Sequence, residues 1–164
     1  MARELKFISW DEYMILVDSL VEKLRQRFPI GVRLVGIPRG GRILADILSH
    51  RWSEFFVRKQ EWNPFQVSPE CYEEFDGTKL PPDLPLCIVD DVLETGEALT
   101  EYFKFYNVGR NTKIEAAVLI SKPDARPPDG LKVAVAESMS SKDWVVFPYE
   151  TTEGEAKAVE EHFK

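Results

Sequence analysis

An apolar run that ends in two acids and leads directly into a helix is the feature that most limits how this chain can fold. Residues 86–89 are all apolar, Asp90 and Asp91 follow, and a helix is predicted to begin at Thr95 and Gly96. A fully apolar run of this kind is typical of a parallel strand that is buried on both faces. The two acids are therefore expected at the carboxyl edge of a parallel sheet, where α/β proteins bind ligands.

The chemistry of this segment points to a sugar phosphate. Neighbouring carboxylates can accept hydrogen bonds from vicinal hydroxyl groups. The first backbone amides of the following helix, at Thr95 and Gly96, have no partner within the helix and favour an anion such as a phosphate. A ligand that satisfies both groups has the chemistry of a ribose 5-phosphate.

The rest of the chain alternates between strand and helix patterns. A capping box at Ser9 and Glu12 starts a helical stripe that runs to Phe28. Further elements are a helix from about residue 43 to 50, a second capping box at 152–155 before a C-terminal helix, and strands at 32–37, 55–57, 114–120, 132–135 and 144–147. The pattern predicts one α/β domain over residues 1–164, with a mostly parallel sheet covered by helices on both faces.

Residues 59–84 interrupt this alternation. They are rich in Pro, Glu and aromatic side chains and show no clear periodicity. Long irregular segments in compact domains are commonly lids, binding loops or disordered insertions. A flexible loop is predicted here.

Charge and hydropathy narrow the class of partner. The net charge is −7, which argues against broad nucleic-acid binding, because that requires a cationic surface. Residues 33–59 nevertheless hold six basic and two acidic side chains, and such a local cationic zone suits a small anionic ligand. A polar N-terminus and the lack of a long apolar run predict a cytoplasmic protein without a membrane segment. Cys87 lies in an apolar run and is interpreted as a core thiol.

A second strand-to-helix turn carries glycines and a cation. Arg39, Gly40 and Gly41 follow an apolar strand pattern. The glycines allow the backbone to approach a ligand closely, and the guanidinium group suits phosphate oxygens. This turn is a candidate pyrophosphate-binding loop.

Residues 87–99 resemble the ribose-phosphate signature of the type I phosphoribosyltransferases, in which four apolar residues and two acids precede Thr-Gly. The turn at residues 35–41 is similar to the pyrophosphate loop of that family. The resemblance implies the type I fold with a small hood. It also implies a ribose-phosphate site formed by Asp90, Asp91, Glu94, Thr95, Gly96, Glu97, Ala98 and Leu99. Ala98 stands where the family often has Thr or Ser, and Glu94 stands where it commonly has an Asp that acts as acid or base near purine N7.

The base site implied by the resemblance lies towards the C-terminus. The Lys-Pro pair at Lys122 and the aromatic segment from Trp144 are similar to those of xanthine-guanine phosphoribosyltransferases. Lys122 is then expected to contact O6 of a purine, Trp144 to stack on the base, Val145 to offer main-chain groups, and Glu150 to meet the 2-substituent.

The reaction implied by the resemblance is transfer of the phosphoribosyl group from phosphoribosyl pyrophosphate to guanine, xanthine or hypoxanthine, with Mg²⁺ held by Asp90 and Asp91, in a homodimer or homotetramer. The family's Ser-Tyr pair is missing near the start of residues 59–84, where the sequence instead reads Arg58 to Trp62. A nucleotide-binding regulatory protein on the same scaffold therefore stays open as an alternative. So does a transferase that acts on a pyrimidine or another nitrogen base.

Overall fold

The structure, a computed structural model, describes residues 4–29, 31–56, 85–107, 113–140 and 143–150, and for residues 52–56 only the backbone. The predicted loop at residues 59–84 and the capping box at 152–155 lie outside these ranges. The elements in chain order are β1 (Leu5–Phe7), α1 (Trp10–Arg27), β2 (Arg33–Gly36), α2 (Gly40–Phe56), β3 (Leu86–Leu93), α3 (Glu97–Asn107), β4 (Ile114–Ser121), β5 (Lys132–Ser138) and β6 (Trp144–Val146).

The main sheet has four parallel strands in the order β2-β3-β4-β5. Cys87 and Val89 pack into the core cluster that contains α1 and α2, whereas Ile88 packs with Leu99 of α3 on the opposite face. Successive side chains of a strand point to opposite faces, so both faces of the sheet are buried. This burial explains the apolar strands and confirms the predicted parallel α/β architecture.

Helix α1 begins at the predicted capping box. The backbone amide of Glu12 donates to Ser9 Oγ at 3.2 Å, and the amide of Ser9 donates to Glu12 Oε2 at 2.8 Å. Two of the amides at the helix start, which would otherwise lack partners, are thereby satisfied. The predicted apolar stripe faces the core, with buried side chains at Tyr13, Val17, Leu20, Val21 and Leu24.

Helix α2 is longer than predicted. It runs from Gly40 to Phe56, so the strand predicted at residues 55–57 is wrong over the two residues that the structure describes. Aromatic residues are enriched in strands. Phe55 and Phe56 instead continue a helix that already packs Leu44 and Leu48 into the core.

A two-stranded parallel sheet of β1 and β6, here called the hood, stands apart from the main sheet. Its register pairs Leu5 with Trp144 and Phe7 with Val146. Val145 and Phe147 join the core cluster below it. The hood therefore carries Trp144 while packing on the same core as α1.

Candidate functional site

The acid pair lies on β3 where that strand extends beyond β2. Gly36, the last residue of β2, pairs with Val89, and the start of α2 occupies the space beyond it. A Cβ atom on Gly41 would lie 3.0 Å from the Cα atom of Asp90. Strand β3 continues through Asp90 and Asp91 to Leu93, so the acids lie within the strand and beside the first turn of α2.

Backbone amides orient both carboxylates. Asp90 Oδ1 accepts from the amide of Asp91 at 3.0 Å, and Asp91 Oδ1 accepts from the amide of Val92 at 2.8 Å. Burial raises the pKa of Asp90, and the negative charge of Asp91 raises it further. A cation or a hydroxyl donor placed between the two carboxylates would stabilise their charged forms and oppose this rise in the pKa.

The glycine turn before α2 meets the acid pair directly. Arg39 is exposed at the turn, whereas Gly40 and Gly41 are buried. A Cβ atom on Gly40 would overlap the Asp91 carboxylate, and one on Gly41 would overlap the carbonyl oxygen of Val89. Glycine is required at both positions because the turn packs tightly against β3. The candidate pyrophosphate loop and the acid pair are therefore neighbours.

The turn between β3 and α3 has the conformation of an open backbone cradle. Gly96 adopts a φ of 97°, a region that favours glycine. Thr95 Oγ1 accepts from the amide of Glu97 at 3.3 Å, and the backbone carbonyl of Thr95 accepts from the amide of Arg126 at 3.0 Å. Thr95, Glu97 and Ala98 are exposed. These contacts fix the turn that holds Glu94 and leave its outer side accessible.

Leu99 differs from the other members of the predicted phosphate site. Its side chain is buried in the core with Ile88 and Val118. It anchors the first turn of α3 to the sheet. Only its backbone is available to a ligand.

The end of β4 meets the start of β6, which brings Lys122 next to the residue before Trp144. Lys122, a buried residue that follows β4, donates from Nζ to the carbonyl oxygen of Asp143. The side chain of Val145 is buried in the core. Glu150 Oε2 accepts from the amide of Phe147 at 2.8 Å, which holds Glu150 in the turn after β6.

The main chain of Val145 faces away from β1. The amide of Trp144 donates to the backbone carbonyl of Glu4 at 2.7 Å, and the carbonyl of Val146 accepts from the backbone amide of Ile8 at 2.9 Å. Backbone groups alternate in direction along a strand, so the amide and carbonyl of Val145 point to the opposite edge. That edge carries no paired strand within the described ranges. The amide and carbonyl of Val145 therefore take no part in the pairing with β1.

The sequence matches the phosphoribosyl transferase domain over residues 9–153, which is most of its 164 residues. The chain belongs to the phosphoribosyltransferase family. This assignment confirms the resemblance seen in the two glycine-containing turns. A search of curated proteins found no match.

This member of the phosphoribosyltransferase family is similar in fold to solved structures whose sequences differ widely from its own. A purine phosphoribosyltransferase from Pyrococcus horikoshii Ot3 has a TM-score of 0.63 and 24% identity, over 91% of this chain and 96% of that chain. A xanthine-guanine-hypoxanthine phosphoribosyltransferase from Helicobacter pylori has a TM-score of 0.66 and 17% identity, over 94% and 99%. A hypothetical protein from Neisseria gonorrhoeae with bound ppGpp has a TM-score of 0.63 and 15% identity, over 99% of both chains. At these identities the likeness shows the fold.

One residue in contact with the acid pair was not predicted from the sequence. Tyr149 Oη donates a hydrogen bond to Asp91 Oδ2. Burial raises the pKa of Tyr149, and the charge of Asp91 adds to this effect, so the phenol stays protonated and remains a donor. The two residues are far apart in sequence, and no local pattern signals the contact.

The donor set at the acid pair suits magnesium. Mg²⁺ prefers oxygen ligands and is commonly held by one or two carboxylates together with substrate phosphates. Asp90 and Asp91 supply hard oxygen atoms of this kind. Within the described residues, no three His, Cys, Asp or Glu side chains cluster closely enough to hold a metal. Water and substrate oxygen atoms would complete the ligands of a cation held by the two acids.

None of the helices in the described ranges is long and apolar enough to cross a membrane.

Proposed function

We propose that this protein transfers the phosphoribosyl group of phosphoribosyl pyrophosphate to a 6-oxopurine and releases pyrophosphate. The observation that carries the proposal is the position of Asp90 and Asp91. They lie at the carboxyl edge of the parallel sheet, in contact with the turn of Gly40 and Gly41 and just before the turn at Gly96. Groups suited to pyrophosphate, ribose hydroxyls and a 5-phosphate thus follow one another along one edge.

The proposed roles follow from this order. Asp90 and Asp91 accept hydrogen bonds from the ribose hydroxyls, and the turn from Glu94 to Leu99 holds the 5-phosphate with its backbone amides. Arg39 and the amides of Gly40 and Gly41 face the pyrophosphate. Magnesium, when bound, would neutralise part of the pyrophosphate charge and so improve it as a leaving group.

The reaction breaks the bond between ribose C1 and the pyrophosphate oxygen and forms a bond from C1 to a purine nitrogen. Positive charge develops on the ribose ring as the pyrophosphate leaves, and the carboxylates beneath the ring stabilise it. Glu94 is proposed to accept, near N7, the proton that the purine loses as the new bond to C1 forms. Its position in the turn between β3 and α3 supports this role.

The base is proposed to bind between the main sheet and the hood. Lys122 contacts O6, Trp144 stacks on the ring, Val145 binds the base edge through its main chain, and Glu150 meets the 2-substituent. The hydrogen bond from Lys122 to Asp143 supports this arrangement, because it brings the ammonium group to the start of β6. A homodimeric or homotetrameric assembly in the cytoplasm is part of the same proposal.

A regulatory nucleotide-binding protein is the second candidate. The Neisseria gonorrhoeae protein with bound ppGpp shares the fold over 99% of both chains. The family commonly has Asp at the position of Glu94. The longer side chain of Glu94 would displace the carboxylate, which also favours binding with little turnover. A pyrimidine or other nitrogen base is a further acceptor to include in the test.

The decisive experiment measures pyrophosphate release from phosphoribosyl pyrophosphate with guanine, hypoxanthine, xanthine and orotate, with and without Mg²⁺. Magnesium-dependent release with 6-oxopurines supports the proposal. Release with orotate alone would contradict the purine assignment. Tight binding of guanosine 5′-monophosphate or ppGpp without any release would favour the regulatory candidate.

A further inference from the structure

Tyr149 connects the hood to the acid pair. It lies in the turn after β6, the strand that begins at Trp144, whereas Asp91 lies on β3 of the main sheet. Its hydroxyl group donates to Asp91 Oδ2, and a Cβ atom on Gly40 would lie 2.7 Å from the same hydroxyl oxygen. Three elements therefore meet at one carboxylate: the hood turn, β3 and the first residue of α2.

Aromatic packing fixes the position of the Tyr149 hydroxyl. The Tyr149 ring stacks on Phe147 with centroids 5.5 Å apart and an interplanar angle of 9°, and it meets the edge of Tyr13 at 5.8 Å and 88°. Trp10 lies 6.5 Å away at a tilted angle. Phe147 and Tyr13 are buried. A ring held on several sides cannot change rotamer without disturbing the core.

Two hydrogen bonds set the orientation of the Asp91 carboxylate. Asp91 Oδ1 accepts from the amide of Val92, and Oδ2 accepts from Tyr149. Each oxygen thus has one fixed donor, so the plane of the carboxylate is set before any ligand arrives.

We propose that Tyr149 is a positioning residue that holds the Asp91 carboxylate in the orientation that binds the ribose hydroxyls. The inference rests on the proposed function, because it assumes that Asp91 contacts ribose. It adds that the ribose site is completed by the hood. The short segment that carries Trp144 also orients an acid of the main sheet, so the base and ribose sites are aligned through one piece of backbone.

The test compares Tyr149→Phe with Tyr13→Phe. Tyr149→Phe keeps the ring stack and removes only the donor to Asp91. Tyr13→Phe removes a buried hydroxyl from the same aromatic group, and this hydroxyl has no hydrogen-bond partner among the described residues. Each variant is assayed for KM of phosphoribosyl pyrophosphate, KM of hypoxanthine, kcat and thermal unfolding. Dissociation constants for guanosine 5′-monophosphate are measured by calorimetry.

A hydrogen bond to a charged group predicts that Tyr149→Phe raises KM of phosphoribosyl pyrophosphate and Kd of the nucleotide by about 10- to 100-fold. KM of hypoxanthine should stay near the wild-type value, and Tyr13→Phe should change none of these constants. Equal constants for Tyr149→Phe and wild type would overturn the positioning role and leave the proposed function intact. Equal losses for both substrates with a lower melting temperature would assign Tyr149 to packing and also overturn it. A wild-type protein that binds neither ligand would overturn the proposed function, and this inference with it.

Discussion

The ammonium group of Lys122 donates a hydrogen bond to the backbone carbonyl of Asp143, the residue that precedes Trp144. This contact joins the end of β4 to the start of β6. Lys122 is buried, and this carbonyl gives its ammonium group a hydrogen-bond partner. The bond therefore brings Lys122 next to the residue that precedes Trp144, and the sequence resemblance assigns Lys122 and Trp144 to purine binding.

Lys122→Met keeps the apolar length of the side chain and removes the ammonium group. Hydrogen bonds from charged groups contribute about 1.5–3 kcal/mol, so KM of hypoxanthine should rise by about 10- to 100-fold. KM of phosphoribosyl pyrophosphate should be unchanged. Lys132→Met, at an exposed position on β5, is the control. An equal rise of both KM values would contradict a role in base binding.

Gly96→Ala tests the phosphate turn. Gly96 has a φ of 97°, and a Cβ atom there would overlap the carbonyl oxygen of Arg126. Gly130→Ala is a matched control, because Gly130 has a φ of 81° and no atom within 4 Å of the added Cβ. Both variants carry backbone strain of about 1–3 kcal/mol. Only Gly96→Ala should also weaken ribose 5-phosphate binding in calorimetry, and a similar loss in Gly130→Ala would remove the turn from the site.

Much of this organisation was predictable because local patterns specify it. The capping box at Ser9 begins α1, and apolar runs bounded by turn residues mark the main-sheet strands. The first two turns of α2 follow the stripe of Leu44 and Leu48, whereas the sequence pattern predicts a strand at Phe55 and Phe56, where the helix continues. The helix, once packed, overrides that preference.

The contacts between distant segments were not predictable from one sequence. β1 has only three residues, and its pairing with β6 joins the two ends of the described chain. The hydrogen bonds from Tyr149 to Asp91 and from Lys122 to Asp143 likewise depend on packing between separate elements. The sequence pattern therefore places the acids at the sheet edge, but it does not reveal the hydrogen bond from Tyr149 to Asp91.

Glu115→Gln tests a buried ion cluster at the opposite end of β4. Glu115 Oε2 lies 3.1 Å from Arg27 Nη1, and Oε1 lies 2.7 Å from Lys113 Nζ. Loss of the buried charge should lower the free energy of unfolding by about 1–3 kcal/mol in urea denaturation. Glu137→Gln breaks the exposed pair with Lys6 and should cost less than about 1 kcal/mol. Equal effects of the two changes would show that burial of Glu115 does not strengthen its ion pairs.

The Cys87 thiol should be inert in the folded protein. Burial raises its pKa, and the charge of Glu115 raises it further, whereas an unfolded thiol ionises near pH 8.5. The unfolded state therefore releases the proton first, and stability should fall as pH rises above about 8.5.

Labelling with Ellman's reagent at pH 9 checks this in Cys71→Ser, which leaves Cys87 as the one remaining cysteine of the sequence. No thiol should react in buffer, and one should react in guanidinium chloride. Rapid labelling of the folded variant would show that the strand is accessible.

The most direct test of the ribose site is calorimetric titration of phosphoribosyl pyrophosphate, in the presence of Mg²⁺, into wild type and into the double variant Asp90→Asn with Asp91→Asn. The account predicts that wild type binds, and that the variant loses at least about 100-fold in affinity because two charged acceptors are removed. Circular dichroism should show the same helical content for both proteins. Unchanged affinity in a folded double variant would contradict the assignment of these aspartates to the ribose.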